Sequence, residues 1–330
     1  MKILHILGNG FDLNLGLKTS YRDFYSYYKS IESSKEGVKI LKTNIADNFS
    51  HWSDLELALG QYTENFKNTD DFDEAFEDIG EQLAEYLKNE ENNFDFSRAN
   101  KEKLFEDLVK AEVFLTPAES KKIADYKLRY VHHSWAVDIV TFNYTRIIEG
   151  IIGGTTVTKI GNHIASNVHV ELRGIDHIHG YVDDRMVLGV NDVSQLKNQK
   201  FHQNVDILEA IVKQRCNSGQ GHTIDDQVVA KIKEANMIII FGSSLGDTDN
   251  MWWELIGEKL KREPIPVIIF TRGEEVISPR IAYKNNRTKR AMVDYFLKKT
   301  KLNGGDIERV KDNIFVGLNT SMFQSAISKN

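Results

Sequence analysis

Four short strings in this chain carry the side chains that chemistry could use. The first is Gly8-Asn9-Gly10-Phe11-Asp12, which follows directly on the apolar run Ile3–Leu7. Glycines let a backbone turn sharply and approach a phosphate, and a following helix N-terminus favours negative charge. The dinucleotide fingerprint G-x-G-x-x-G is only partly met, because position 13 is Leu. A tight strand-to-loop turn without a ligand accounts for this string equally well.

The second string is Asp138-Ile-Val-Thr-Phe-Asn-Tyr-Thr145, an apolar strand that ends in small polar groups. Ligands of open α/β sheets bind beyond the carboxyl ends of the strands, so Thr141, Asn143 and Tyr144 fall where chemistry is expected. Asn143 can donate and accept at once, which suits a ribose hydroxyl or an attacking water; a turn-forming role is the structural alternative. The third is Ile175-Asp-His-Ile-His-Gly180. On a continuing strand His177 and His179 share a face, and a histidine before a glycine is well placed as a general base. A metal site would need a third ligand, and none is spaced nearby. The fourth is Ile238-Ile-Ile-Phe-Gly-Ser-Ser-Leu-Gly-Asp-Thr-Asp249. Here Gly242, Ser243 and Ser244 offer N–H and hydroxyl groups to a phosphate or ribose, and Asp247 follows. Asp249 reads as an N-cap. Each string is weak alone, but all four are expected on one edge of one sheet.

The elements that would position them are legible as buried strands and amphipathic helices. Apolar runs predict strands at Ile3–Leu7, Val137–Phe142, Val168–Leu172, Ile175–His179, Met186–Val190, Met237–Phe241, Val267–Thr271 and Ile314–Val316. Helical spacing marks Tyr21–Ser30, Trp52–Phe66, Asp71–Lys88, Glu102–Val113 and Ala118–His133, and crossover helices at Ile224–Ala235 and Met251–Lys261. The expected fold is α/β: a mostly parallel, Rossmann-like sheet flanked by helices. A helical insertion, about residues 20–133, follows the first strand as a lid within a single domain spanning residues 1–330.

Composition narrows the class. The 330 residues include one cysteine, Cys216, which excludes an intrachain disulfide framework and fits a reducing cytoplasm. No apolar run approaches the ~20 residues of a membrane span, and no cleavable signal pattern is present. The expectation is a cytoplasmic protein without a membrane partner. Residues 54–95 hold 14 acidic and 2 basic side chains, and residues 272–301 hold 9 basic and 3 acidic. Solvated helix faces account for both. The basic stretch lacks the stacking aromatics of single-strand binders, so a nucleic-acid partner is not expected.

With residues 8–24, Trp52–Tyr62, Thr141–Thr145, His177–Gly180 and Phe241–Trp253 on the page, the chain resembles the abortive-infection AbiH family. That family in turn resembles the sirtuin-like NAD-binding domains of phage-defence effectors. The shared pattern falls on Gly8 and Gly10, Thr141, Asn143 and Tyr144, His179 and Gly180, and Gly242 with Ser244. The resemblance implies a sirtuin-like sheet, NAD as substrate, no metal, Asn143 and His179 as the catalytic pair, and a role in arresting infected cells. Gly8, Asn9, Gly10, Phe11, Asp12, Thr141, Tyr144, Gly242, Ser243, Ser244 and Asp247 would then hold the nucleotide. A phage-derived trigger and self-association are compatible partners. Two positions depart from the pattern: Thr145 stands where the defence enzymes usually have Asp, and Asp12 where sirtuins have a small polar residue. The zinc-binding cysteines of sirtuin deacetylases are absent, which argues against deacetylation. A sensor that binds a nucleotide without cleaving it, a nuclease or nucleotide-modifying toxin using Asp183, Asp184, Asp192, Asp247 or Asp249, and a non-enzymatic scaffold are the competing classes.

Overall fold

The computed structural model describes residues 1–154, 158–162, 168–274, 276 and 278–328. Its centre is a seven-stranded sheet in the order β3-β4-β2-β1-β5-β6-β7. The strands are β1 (Lys2–Leu7), β2 (Trp135–Thr141), β3 (Thr158–Asn162), β4 (His169–His177), β5 (Met237–Phe241), β6 (Val267–Thr271) and β7 (Ile314–Leu318). All pairings are parallel except the edge pair β3–β4. Strands buried on both faces need apolar residues throughout, and β5 shows why. Ile239 packs into the cluster on one face, while Ile238 and Ile240 pack into the cluster on the other.

Among the described residues, fourteen α-helices accompany the sheet. Between β1 and β2 run α1 (Gly10–Asn14), α2 (Tyr21–Ser30), α3 (Glu36–Asp47), α4 (Leu55–Tyr62), α5 (Thr69–Asn92), α6 (Lys101–Val109) and α7 (Pro117–Leu128). Then come α8 (Ile147–Ile152), α9 (Val205–Ile211), α10 (Lys213–Gly219), α11 (Ile224–Glu234), α12 (Asn250–Arg262), α13 (Tyr283–Lys299) and α14 (Gly304–Val310). Helices α6 and α8 cover one face of the sheet, and α11, α12 and α13 cover the other. A third apolar cluster joins α2–α5 to α9, with Trp52, Phe24 and Phe72 fully buried in it. Local chemistry fixes where these helices begin. Ser20, Asp54, Asn68 and Asn100 each accept a backbone N–H three residues on, and Thr116 with Glu119 forms a capping box.

Several expectations change. The segments Val168–Leu172 and Ile175–His179 are one strand, β4, which stops at His177. Met186–Val190 forms no strand; Val190 makes a single bridge to Val212. The stretch Trp52–Phe66 divides around α4 into short turns of helix, and Glu102–Val113 likewise breaks after Val109.

The chain leaves β1, returns as β2 on one side, and later resumes as β5 on the other. Such a reversal of strand order leaves a crevice at the carboxyl ends. Here the two flanking loops touch backbone to backbone. Gly8 N–H donates to the Phe241 carbonyl at 2.9 Å, and Gly10 N–H to the Gly242 carbonyl at 2.8 Å. A Cβ on Gly10 would lie 2.4 Å from Gly242 Cα, and Gly242 sits at φ +65°. Only glycine avoids both the clash and the left-handed strain. Gly242→Ala should therefore lower the stability of the whole chain by about 2–4 kcal/mol. Equilibrium urea unfolding checks this, and a midpoint equal to that of wild type would refute the interlock.

Candidate functional site

A cavity of about 560 Å³ opens at the carboxyl edge, a size typical of small-molecule sites. Loops after β1, β2, β4 and β5 all contribute to its wall. The four sequence strings therefore meet at one place. Gly8, Asn9, Gly10, Asp12, Asn143, Tyr144, His179, Gly242, Ser243, Ser244 and Asp247 line it. Phe11 and Thr141 stand behind the wall. The Phe11 ring packs edge-on against Phe323 at 5.3 Å, and the Thr141 hydroxyl accepts the Asn143 backbone N–H at 3.1 Å. The insertion closes over the cavity with Tyr21 of α2, Asp54 and Glu56 at the start of α4, and Leu83 and Leu87 of α5.

Asn143 is held from three directions. Its Nδ2 donates to Asp12 Oδ1 at 2.9 Å, and the Thr145 hydroxyl donates to Asp12 Oδ2 at 2.6 Å. Its backbone carbonyl lies 2.7 Å from His177 Nδ1, and His177 Nε2 lies 2.7 Å from Glu149 Oε1. The amide orientation follows from these partners, since a carboxylate accepts and cannot donate. Asn143 Oδ1 is left buried and unpartnered among the described residues. Burial of this kind is costly unless a ligand or water supplies the missing donor.

The two histidines part company. His177 ends β4 with both ring nitrogens engaged, and it supports Asn143 without lining the cavity. His179 lies in the turn beyond the strand and does line it. The shared face expected from their spacing required the strand to continue, and it does not. Gly180 makes the turn at φ +70°, where a Cβ would strike the Arg185 carbonyl at 1.9 Å.

Behind His179 lies a buried ionic group that sequence reasoning missed. Lys213 Nζ donates to Glu56 Oε2 and to Asp249 Oδ1, each at 2.8 Å. Thr248 Oγ1 donates to Glu56 Oε2 at 3.0 Å. His179 Nε2 approaches Asp249 Oδ1 to 3.1 Å without hydrogen-bond alignment. Asp249 is thus no side-chain cap for α12. Burial opposes the charge on Lys213, but Asp249 and Glu56 outweigh it and raise its pKa. Burial likewise opposes ionisation of Asp249, and the Lys213 ammonium, with His179 close by, overcomes it, holding that carboxyl far below its usual range. The one sequence signal was a lone glutamate, Glu56, inside the apolar run of α4. Nothing in the sequence pairs it with a lysine so distant along the chain.

Asp12 behaves differently. Burial raises its pKa to about 6, only partly countered by its bonds from Thr145 and Asn143. The glycine N–H groups expected to face a phosphate are taken by Phe241 and Gly242 carbonyls. Among the described residues the backbone N–H groups of Asn9, Ser243 and Ser244, which line the cavity, have no acceptor. The carboxylates considered for a metal are dispersed: Asp183 pairs with Arg146, Asp192 caps Ser194, and Asp247 pairs with Lys299. Among the described residues no three His, Cys, Asp or Glu side chains are grouped as a metal ion would need. Among them, too, no helix is long and apolar enough to cross a membrane.

The model of the bacteriophage abortive infection AbiH family matches residues 4–271. The chain belongs to the AbiH family. That span holds every one of the four strings, β1 apart from its first two residues, β2 to β6 and the whole helical insertion, and it associates the chain with abortive infection by bacteriophage. No match is found among curated proteins.

Two consequences can be measured. Lys213→Met leaves Glu56 and Asp249 buried without their cation and should cost about 3–5 kcal/mol in urea unfolding. A loss below about 1 kcal/mol would show that the group is solvated. Burial lifts the Asp12 carboxyl from its ordinary 3.8 to about 6. Between those pH values the native state retains a proton that the unfolded chain has released. Its contribution to stability is full below about pH 4 and lost as pH rises through about 6. The expected loss is about 3 kcal/mol across that window, and Asp12→Asn should remove this slope.

Proposed function

We propose that this AbiH protein binds NAD and cleaves its nicotinamide–ribose bond, as the effector step of abortive infection. The observation that carries this reading is Asn143. Its amide is oriented by Asp12, which leaves Oδ1 buried without a partner among the described residues on a side chain that, with His179, lines the cavity. An acceptor at that point suits the O–H of a water or of a ribose hydroxyl.

In the proposed reaction the bond between ribose C1′ and the pyridinium nitrogen breaks. The electron pair leaves with nicotinamide, which departs neutral, and positive charge passes to an oxocarbenium-like ribose. Water adds at C1′ and its proton goes to His179. General-base help of this kind is worth roughly 10²–10⁴-fold. Asn143 Oδ1 orients the water or ribose, an effect that can exceed that of the proton transfer. Asp12 acts through Asn143 and Thr145. Asn9, Ser243 and Ser244 supply N–H groups towards the nucleotide.

Purified wild-type protein incubated with NAD should release nicotinamide and ADP-ribose, followed by chromatography. His179→Ala and Asn143→Ala should each reduce release by at least about 100-fold while remaining folded by circular dichroism. Wild-type rates in both folded variants would overturn the assignment. NAD binding by the wild type without release would favour a sensor.

A further inference from the structure

The cavity wall is acidic, and unpaired negative charge disfavours a phosphate beside it. Asp12, Asp54, Glu56, Asp247 and Asp249 line it, and among the described residues no lysine or arginine does. Two ammonium groups reach this set from behind: Lys213 between Glu56 and Asp249, and Lys299 on Asp247. His179 stands beside Asp249. Asp12 and Asp54 have no ion-pair partner among the described residues. Burial holds both carboxyls above their ordinary range, and Glu56 adds to the effect at Asp54. Charge of one sign is therefore left without compensation inside the protein.

A second, independent observation points to a ligand here. Asn143 is 7% exposed, and its Oδ1 lacks any partner. The missing donor and the missing cation belong to the same cavity. A small divalent ion would need several oxygens converging at about 2.0–2.6 Å. These carboxylates are instead spread around the wall, which suits a cation whose charge is delocalised over a ring. The Gly8 and Gly10 N–H groups, which a pyrophosphate would use, are bonded within the protein.

We propose that the cavity selects its ligand by positive charge, taking the ribosylpyridinium cation of oxidised nicotinamide compounds, with the phosphates contributing little. This rests on reading the cavity as a nicotinamide-nucleotide site. The same wall favours the oxocarbenium-like ribose that forms as the ring departs neutral, because the positive charge moves without leaving the carboxylates.

Calorimetry on the full chain carrying His179→Ala, which blocks turnover, provides the test. Nicotinamide riboside, ADP-ribose, NAD, NADH and magnesium are titrated separately at low salt. The riboside is expected to bind at least ten-fold more tightly than ADP-ribose, and NAD more tightly than NADH, whose ring is neutral. Raising the salt should weaken riboside binding. Asp54→Asn retains a side chain able to cap α4 and should weaken the riboside about five-fold while leaving ADP-ribose unchanged. Equal or tighter binding of ADP-ribose, no riboside binding, or saturable magnesium binding in its place would each overturn the proposal. Nicotinamide release from NAD by wild type is measured in parallel. Release without charge selection would leave the glycohydrolase standing and sink this inference. Charge selection without release would do the reverse.

Discussion

Two loops can meet without side chains between them only where both are glycine, and the rest of this site depends on that contact. Gly10 and Gly242 bring the ends of β1 and β5 to backbone distance. The approach fixes the direction in which α1 leaves β1, and so delivers Asp12 to the loop after β2. Asp12 then sets the amide of Asn143, and Thr145 completes the same carboxylate. The glycines that looked like a phosphate cradle act first as a joint of the scaffold. Their small size is used by protein backbone, and the polar edge of the cavity is supplied by neighbouring residues.

Around this joint the molecule concentrates buried charge. The Glu56–Lys213–Asp249 group joins the helical insertion, the start of α10 and the loop after β5. Each pays a desolvation cost that its partners must offset, so none of the three can be removed alone without penalty. The insertion is thus tied to the sheet by ions as well as by the apolar cluster that joins α2–α5 to α9. A lid anchored in this way would keep its acidic lining in register with His179.

Much of the sheet was legible because strands buried on both faces must be apolar throughout. β1, β2, β5, β6 and β7 announce themselves for that reason, and their common carboxyl edge follows from parallel pairing. Edge strand β3, Thr158–Asn162, was not legible: it buries only Ile160 and has no apolar run to show. Helix α13 escaped for a related reason, since most of its turns are solvated and basic. The four strings picked out by residue type meet at one cavity, while the arrangement within it did not follow from the sequence. Spacing gave His177 and His179 the same status, but the end of β4 separates them. Phe11 and Thr141 fell in the right strings yet behind the wall. The partners of Glu56 and the bond between Asp12 and Thr145 span long stretches of sequence, and no local pattern encodes such pairings.

That last bond recasts the two departures from the pattern this chain resembles. The related defence enzymes usually carry a carboxylate at the position of Thr145, and sirtuins a small polar residue at that of Asp12. Here the two side chains touch, with the hydroxyl on one loop and the carboxylate on the other. Positions 12 and 145 should then vary as a couple: two carboxylates would repel one another in a buried site, and two hydroxyls would leave the Asn143 amide without its acceptor. What counts at this spot is one negative charge beside the asparagine, whichever loop provides it.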